Sequence, residues 1–183
     1  NSNLIITIGR EYGTGGREIG QKLASFYDRD LITRAAKKTG FDEKLFEQLD
    51  KRATNSFLYS LTMFGSVGLN GMSLTDQLYL AQSNIIREMA EDSSCVIVGR
   101  CADHVLRDFP NKFDFFIHGS IEDRVKRVQT CGDYVIEGKT PEAALEKMDK
   151  QRSTYYNYYT GKVWGKCDHY DMCINAGRLG VEY

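Results

Sequence analysis

The chain has 183 residues, a length that fits one domain, or one domain with a small lid. Its 24 Lys and Arg residues against 25 Asp and Glu residues give a formal charge of -1, so no global basic field indicates a nucleic-acid partner. The hydrophobic fraction of 42% is ample for a core. Because no apolar run approaches the roughly 20 residues of a membrane span, we expect no membrane association.

The first residues lead directly into an apolar run, so we also expect no secretory signal. Five cysteines at irregular spacing form no CxxC pair, and the three histidines do not combine with them at the spacing of zinc ligands. Scattered thiols of this kind are typical of a reducing compartment, so we expect a cytoplasmic protein without a disulfide framework. The ligands of any metal stay unassigned.

The opening of the chain predicts a strand, a glycine turn and a helix. Residues 4–8 are apolar and rich in β-branched side chains, which is typical of a buried parallel strand. A glycine-rich turn over 13–16 follows, and residues 17–26 then carry apolar side chains at helical spacing. Residues 31–52 continue a helical pattern. The apolar stretch 57–64 is a mobile segment or an interface, and therefore a candidate homodimer contact.

The rest of the chain alternates helical and strand patterns. The helical patterns cover residues 75–91, residues 121–129 and a stretch that begins at Pro141, since a first helical turn tolerates proline. The short apolar strand patterns cover residues 95–98, 113–118 and 170–175. This alternation argues for an α/β fold with a mainly parallel sheet.

The loop after the first predicted strand is the strongest functional signal in the residues themselves. Backbone N–H groups at a strand–glycine–helix junction favour an anion, and the helix dipole adds to this preference. The P-loop pattern GxxxxGK[ST] is present in degenerate form. With Gly15 at its second glycine, Gly16 takes the lysine position and Arg17 the Ser/Thr position, and Arg10 stands at the first glycine. Arg17 opposes the helix dipole unless an anion lies nearby. The alternative is that the glycines only make a tight turn.

Residues 5–20 resemble the opening of the cytidylate kinase-like family, which are relatives of the nucleoside monophosphate kinases. Further matches to that family lie in residues 96–103, 149–161 and 170–180. The resemblance implies a three-layer α/β/α fold of the P-loop NTPase type. It also implies a single domain over residues 1–183, in which about 30–92 form a helical nucleotide-binding insertion and about 124–168 form a lid. ATP and Mg²⁺ are the cofactors implied.

The resemblance also assigns candidate site residues. Phosphate binding falls on the glycine loop, at Gly13, Thr14, Gly15, Gly16 and Arg17. Acceptor binding falls on Asp28, Arg34 and Arg100. The lid arginines that close on the phosphates match Arg124, Arg127 and Arg152. We take Arg17, Arg124 and Arg152 as candidate catalytic residues, and Arg17 as the candidate source of part of the charge that the absent lysine would supply.

Two functions are consistent with these residues. One is an ATP-dependent kinase that moves the γ-phosphoryl group to a small acceptor, such as a nucleoside monophosphate. The other is a catalytically weak or inactive module, derived from a kinase, that binds a nucleotide or another phosphorylated small molecule. A dinucleotide enzyme is disfavoured, because a GxGxxG pattern starting at Gly13 meets Glu18 at its third glycine. The tyrosines of 155–159 stack on a base, pack a helix end or form a dimer contact.

Overall fold

A computed structural model describes residues 3–26, 74–132, 134, 136 and 140–181. The predicted helix over 31–52 and the apolar stretch 57–64 lie outside these residues, as do the acceptor candidates Asp28 and Arg34. No helix of the described ranges combines the length and the apolar character that crossing a bilayer requires.

The described chain alternates strands and helices in the predicted order. The strands are β1 (Ile5–Arg10), β2 (Cys95–Val98), β3 (Lys112–His118) and β4 (Met172–Asn175). The helices are α1 (Gly16–Phe26), α2 (Leu74–Asp92), α3 (Ala102–Val105), α4 (Ile121–Thr130), α5 (Pro141–Thr160) and α6 (Ala176–Leu179), with a 3₁₀ turn at Cys167–His169. Every strand and helix predicted within the described residues is confirmed. The two short helices and the 3₁₀ turn were not predicted, because a single turn carries no periodic signal.

The strands form a parallel sheet in the order β2–β1–β3–β4 among the described residues. Ile8 of β1 is in register with Val98 of β2 and with Phe115 of β3. The carboxyl ends of these three strands therefore meet at one edge of the sheet. In a parallel sheet ligands bind at this edge, so we expect the segments that follow β1, β2 and β3 to form the site.

Both faces of the sheet are covered. Alternate residues of β2 belong to two separate hydrophobic clusters, with Ile97 in one and Val96 in the other. The first cluster includes Ile86 of α2, and the second includes Ala24 of α1. The expected α/β fold, with helices on both sides of a mainly parallel sheet, is confirmed.

The long helix α5 begins where the sequence predicts. The Thr140 hydroxyl accepts the N–H of Ala143 at 3.2 Å, which satisfies one donor of the first turn, and Pro141 occupies the first turn as expected. The helix ends at Gly161, whose φ is 68°. Between these caps α5 extends for 20 residues and carries Asp149 and Arg152 to the loop after β1.

Candidate functional site

The loop between β1 and α1 has the backbone geometry of an anion-binding turn. Gly13 and Gly15 have φ values of 82° and 78°, in the left-handed region that glycine adopts without strain. The Thr14 hydroxyl donates to the Glu11 carbonyl at 2.9 Å and closes the turn. The first hydrogen bond of α1 runs from the Ile19 N–H to the Gly15 carbonyl, at 2.9 Å. The N–H groups of the first turn therefore have no carbonyl partner within the helix.

Arg127 of α4 lies directly against this loop. Its guanidinium pairs with the Glu18 carboxylate, and a Cβ at Gly15 would lie only 2.8 Å from Arg127 Cζ. The Gly15 N–H donates to Tyr134 Oη at 3.2 Å, and the Tyr134 ring packs edge-on against Tyr12. One side of the loop is thus covered by a guanidinium and a phenol, both of which can exchange their present partners for a phosphate.

Arg124 of α4 is buried and binds the backbone of the glycine loop, both directly and through Asp149. Its Nη1 donates to Asp149 and to the Tyr12 carbonyl at 3.2 Å, and its Nε lies 3.7 Å from Glu11 Oε2. Asp149 in turn accepts the Tyr12 N–H at 2.6 Å. Both polar groups of the Tyr12 backbone are therefore fixed by this ion pair. Arg124 has carboxylate partners in this structure, and its role as a catalytic lid residue stays a prediction.

Arg152 of α5 reaches the same loop from another direction. Its Nη1 donates to the Arg10 carbonyl at 3.0 Å, and its guanidinium lies 5.1 Å from the centroid of the Tyr12 ring, in cation–π range. The three predicted lid arginines, Arg124, Arg127 and Arg152, are thus brought together around one loop. Arg17 lies on the first turn of α1 and is exposed, and its role also stays a prediction.

Sequence reasoning missed Arg10, the last residue of β1. A Cβ at Gly16 would lie 2.7 Å from Arg10 Cβ and 2.9 Å from Arg10 Cγ, and a Cβ at Gly99 would collide with Arg10 Nη1. The Arg10 side chain therefore extends from the start of α1 to the turn after β2, along the carboxyl edge of the sheet. The arginine at position 10 and the glycine at position 16 were the available signal, since they reverse the residue types of the P-loop pattern.

The turn after β2 is strained. Gly99, Arg100 and Cys101 have φ values of 77°, 61° and 55°, and the Ala102 N–H closes the turn on the Gly99 carbonyl at 3.2 Å. Left-handed backbone costs a non-glycine residue roughly 1–3 kcal/mol, and such strain is concentrated at functional sites. Burial raises the pKa of the Cys101 thiol to about 12. The turn places Arg100, the acceptor candidate, at the same edge of the sheet as the glycine loop.

A buried polar pair connects this region to α5. The Tyr156 hydroxyl donates to Asp103 Oδ2 at 2.6 Å, and Tyr156 is only 5% exposed. Burial raises the pKa of Asp103, and burial together with the Asp103 charge raises the pKa of Tyr156. Over the described ranges, no group of three or more His, Cys, Asp or Glu side chains is arranged to hold a metal ion.

The tyrosines of α5 pack the helix. The Tyr159 ring stacks on Tyr79 of α2 with centroids 4.0 Å apart, and its hydroxyl donates to Asp76 at 3.1 Å. Tyr155 contacts the same two rings, whereas Tyr158 is 73% exposed. Of the alternatives for these tyrosines, helix packing is the one observed for Tyr155 and Tyr159.

A parallel sheet with helices on both faces and a glycine loop between β1 and α1 is common to several nucleotide-binding folds. The structure is similar to shikimate kinase from Bacteroides thetaiotaomicron, with a TM-score of 0.56, 13% identity and coverage of 98% of this chain and 92% of that chain. At this identity the similarity shows the fold alone. It is also similar to an uncharacterized protein from Eubacterium ventriosum ATCC 27560, with a TM-score of 0.68, 32% identity and the same two coverages.

The sequence narrows the class further. The model of the cytidylate kinase-like family matches residues 5–178, so the chain belongs to that family. A relative, the cytidylate kinase of Methanosarcina barkeri (strain Fusaro / DSM 804), is 22% identical over 171 residues, which cover 93% of this chain and 86% of the relative. The predicted family and fold class are confirmed, and the chain is a nucleotide kinase-like protein.

Proposed function

We propose that the protein is an ATP-dependent phosphotransferase that moves the γ-phosphoryl group of ATP to a small acceptor, with a nucleoside monophosphate as the first candidate. The observation that carries this proposal is the convergence of Arg127 and Arg152 on the glycine loop at the carboxyl end of β1. Phosphoryl transfer depends on positioning and on neutralising the phosphate oxygens more than on covalent chemistry. Guanidinium groups suit this task because they stay charged and bind phosphate through two N–H groups.

The donor phosphates would lie on the loop formed by Gly13, Thr14, Gly15, Gly16 and Arg17. A phosphate oxygen there would accept the Gly15 N–H in place of Tyr134 Oη, and Arg127 would exchange Glu18 for phosphate. Arg100, together with Asp28 and Arg34, would bind the acceptor. Arg17, Arg124 and Arg152 remain the candidate catalytic residues.

Mg²⁺, bound together with ATP, would neutralise the phosphate oxygens. It would be held mainly by those oxygens, with one or two protein carboxylates at most, which is common for this ion. A cytoplasmic location, where ATP is available and thiols are reduced, belongs to the same proposal.

A second candidate function is a nucleotide- or anion-binding module without turnover. It is favoured by Gly16, which stands where a P-loop has its lysine, and by the two carboxylate partners of Arg124. Both observations reduce the positive charge available to the phosphoryl group in this structure.

The test is Mg²⁺-dependent ADP formation by the full chain, with a panel of nucleoside monophosphates as acceptors and ATP binding measured in parallel by calorimetry. The enzyme proposal predicts that ADP forms only with an acceptor present. ATP binding without ADP formation selects the second function, and the absence of ATP binding contradicts the enzyme proposal. Arg127→Ala should weaken ATP binding at least tenfold. The matched control is Lys126→Ala, which removes an exposed charge from the neighbouring position of α4 and should bind ATP as the wild type does.

A further inference from the structure

We infer that Arg10, at the end of β1, supplies the positive charge that a P-loop lysine supplies from the start of the following helix. The inference rests on the proposed function, because it names the residue that would hold the transferred phosphoryl group. In the pattern GxxxxGK, glycine stands first and lysine follows the second glycine. Here Arg10 takes the first place, and Gly16 follows Gly15. The glycine and the cation of the pattern have exchanged positions.

The structure shows the same exchange between positions 10 and 16. A side chain at position 16 would begin where Arg10 Cβ and Cγ already lie, at 2.7 and 2.9 Å from the ideal Cβ. Contacts this short are far inside ordinary van der Waals separation. Positions 10 and 16 therefore cannot both carry a long side chain without a local shift. The space at the start of α1 holds one long side chain, and here that side chain comes from the strand.

The backbone that carries Arg10 is firmly held. Its carbonyl accepts Arg152 Nη1 at 3.0 Å, and the next N–H, that of Glu11, donates to the Ile117 carbonyl of β3 at 3.0 Å. The side chain leaves a paired strand in a defined direction. Arg17, in contrast, is an exposed residue of the first turn of α1.

The path of the Arg10 side chain allows its guanidinium to contact both the donor and the acceptor. It begins beside the first residue of α1, where the donor phosphates are proposed, and its guanidinium lies against Gly99, next to Arg100. A guanidinium in that place lies between the donor loop and the acceptor candidate. It can donate N–H groups to both sides, whereas an ammonium is a single point charge.

The experiment moves the positive charge from position 10 to position 16 and measures the Kd for ATP by calorimetry. Arg10→Gln keeps most of the side chain and removes the charge, so it should melt near the wild type and bind ATP at least tenfold more weakly. Gly16→Lys alone should melt at a lower temperature, because its side chain meets Arg10. The double variant Arg10→Gly with Gly16→Lys rebuilds GxxxxGK and should return the Kd to within about threefold of the wild type.

The controls separate this inference from the proposed function. Arg107→Gln removes the same charge from an exposed site on the chain after α3, and should leave the Kd unchanged. If the wild type binds ATP and Arg10→Gln binds equally well, or if Arg17→Ala loses more affinity than Arg10→Gln, the assignment of Arg10 is wrong and the proposed function stands. If the double variant folds but binds no better than Arg10→Gln, the exchange is also refuted. If the wild type itself does not bind ATP, the proposed function fails, and the role of Arg10 fails with it.

Discussion

Replacing Arg124 with methionine tests whether this arginine acts as a structural tie or as a lid residue. Methionine keeps the unbranched apolar part of the side chain but removes the cation that pairs with Asp149 and Glu11. The Arg124 side chain is 10% exposed, and those of Asp149 and Glu11 are 16% and 26% exposed, so the two carboxylates would be left largely buried. Breaking a buried ion pair from one side costs about 3–5 kcal/mol. Since Glu11 retains some hydration, we expect the lower end, about 3 kcal/mol.

In a domain of this size, about 3 kcal/mol corresponds to a fall in Tm of about 6–12 °C. The assay is a thermal melt followed by circular dichroism, with a urea titration that gives the free energy of unfolding. Adding Asp149→Asn to Arg124→Met removes one of the unpaired charges, so the double variant should lose less stability than the sum of the two single changes. Arg107→Met, at an exposed arginine, should change stability by no more than about 0.5 kcal/mol.

A stable Arg124→Met variant that has lost phosphoryl transfer would refute this reasoning. It would return Arg124 to the lid role that the family resemblance implies.

Three further predictions concern single groups. Burial raises the folded-state pKa of Asp103 above its unfolded value, so its charged form costs stability at neutral pH. Asp103→Asn should therefore raise the free energy of unfolding at pH 7, and the gain should shrink as the pH falls through the raised pKa; a gain that grows with acid contradicts this. Iodoacetamide should label the exposed Cys167 of the native protein before the buried Cys101, whose pKa is raised to about 12, and peptide mass spectrometry reads the order. Tyr134→Phe removes the acceptor of the Gly15 N–H, so calorimetry should find ATP binding no weaker than in the wild type; a tenfold loss would mean that Tyr134 binds the nucleotide itself.

The sequence predicts most of the described fold because its apolar runs are distinct. β2 is a run of four apolar residues that matches the predicted strand at both ends, and Thr140 followed by Pro141 marks the start of α5. The register of the sheet, in contrast, cannot be predicted from the sequence pattern. That Ile8 lies opposite both Val98 and Phe115 depends on packing between distant segments, which no local pattern encodes.

The candidate site is only partly predictable for the same reason. The glycine loop is a local motif, and the resemblance adds Arg127 and Arg152 by position. Their partners come from tertiary structure: Glu18 lies 109 residues from Arg127, and the Arg10 carbonyl lies 142 residues from Arg152.

Arg10 was overlooked because a motif comparison scores it as a missing glycine. In the folded chain Arg10 adds a positive charge. The glycine at position 16 is explained by the Arg10 side chain, which occupies the space that a side chain at position 16 would need.

Hydrogen exchange of the backbone amides in the presence of a non-hydrolysable ATP analogue tests most directly whether the glycine loop holds phosphates. Phosphate binding at this loop predicts slower exchange in peptides that cover residues 10–20, with little change in peptides from the edge strand β4. Saturating binding of the analogue with protection confined to other segments, such as the one that contains Trp164 and Cys167, would contradict phosphate binding at the loop.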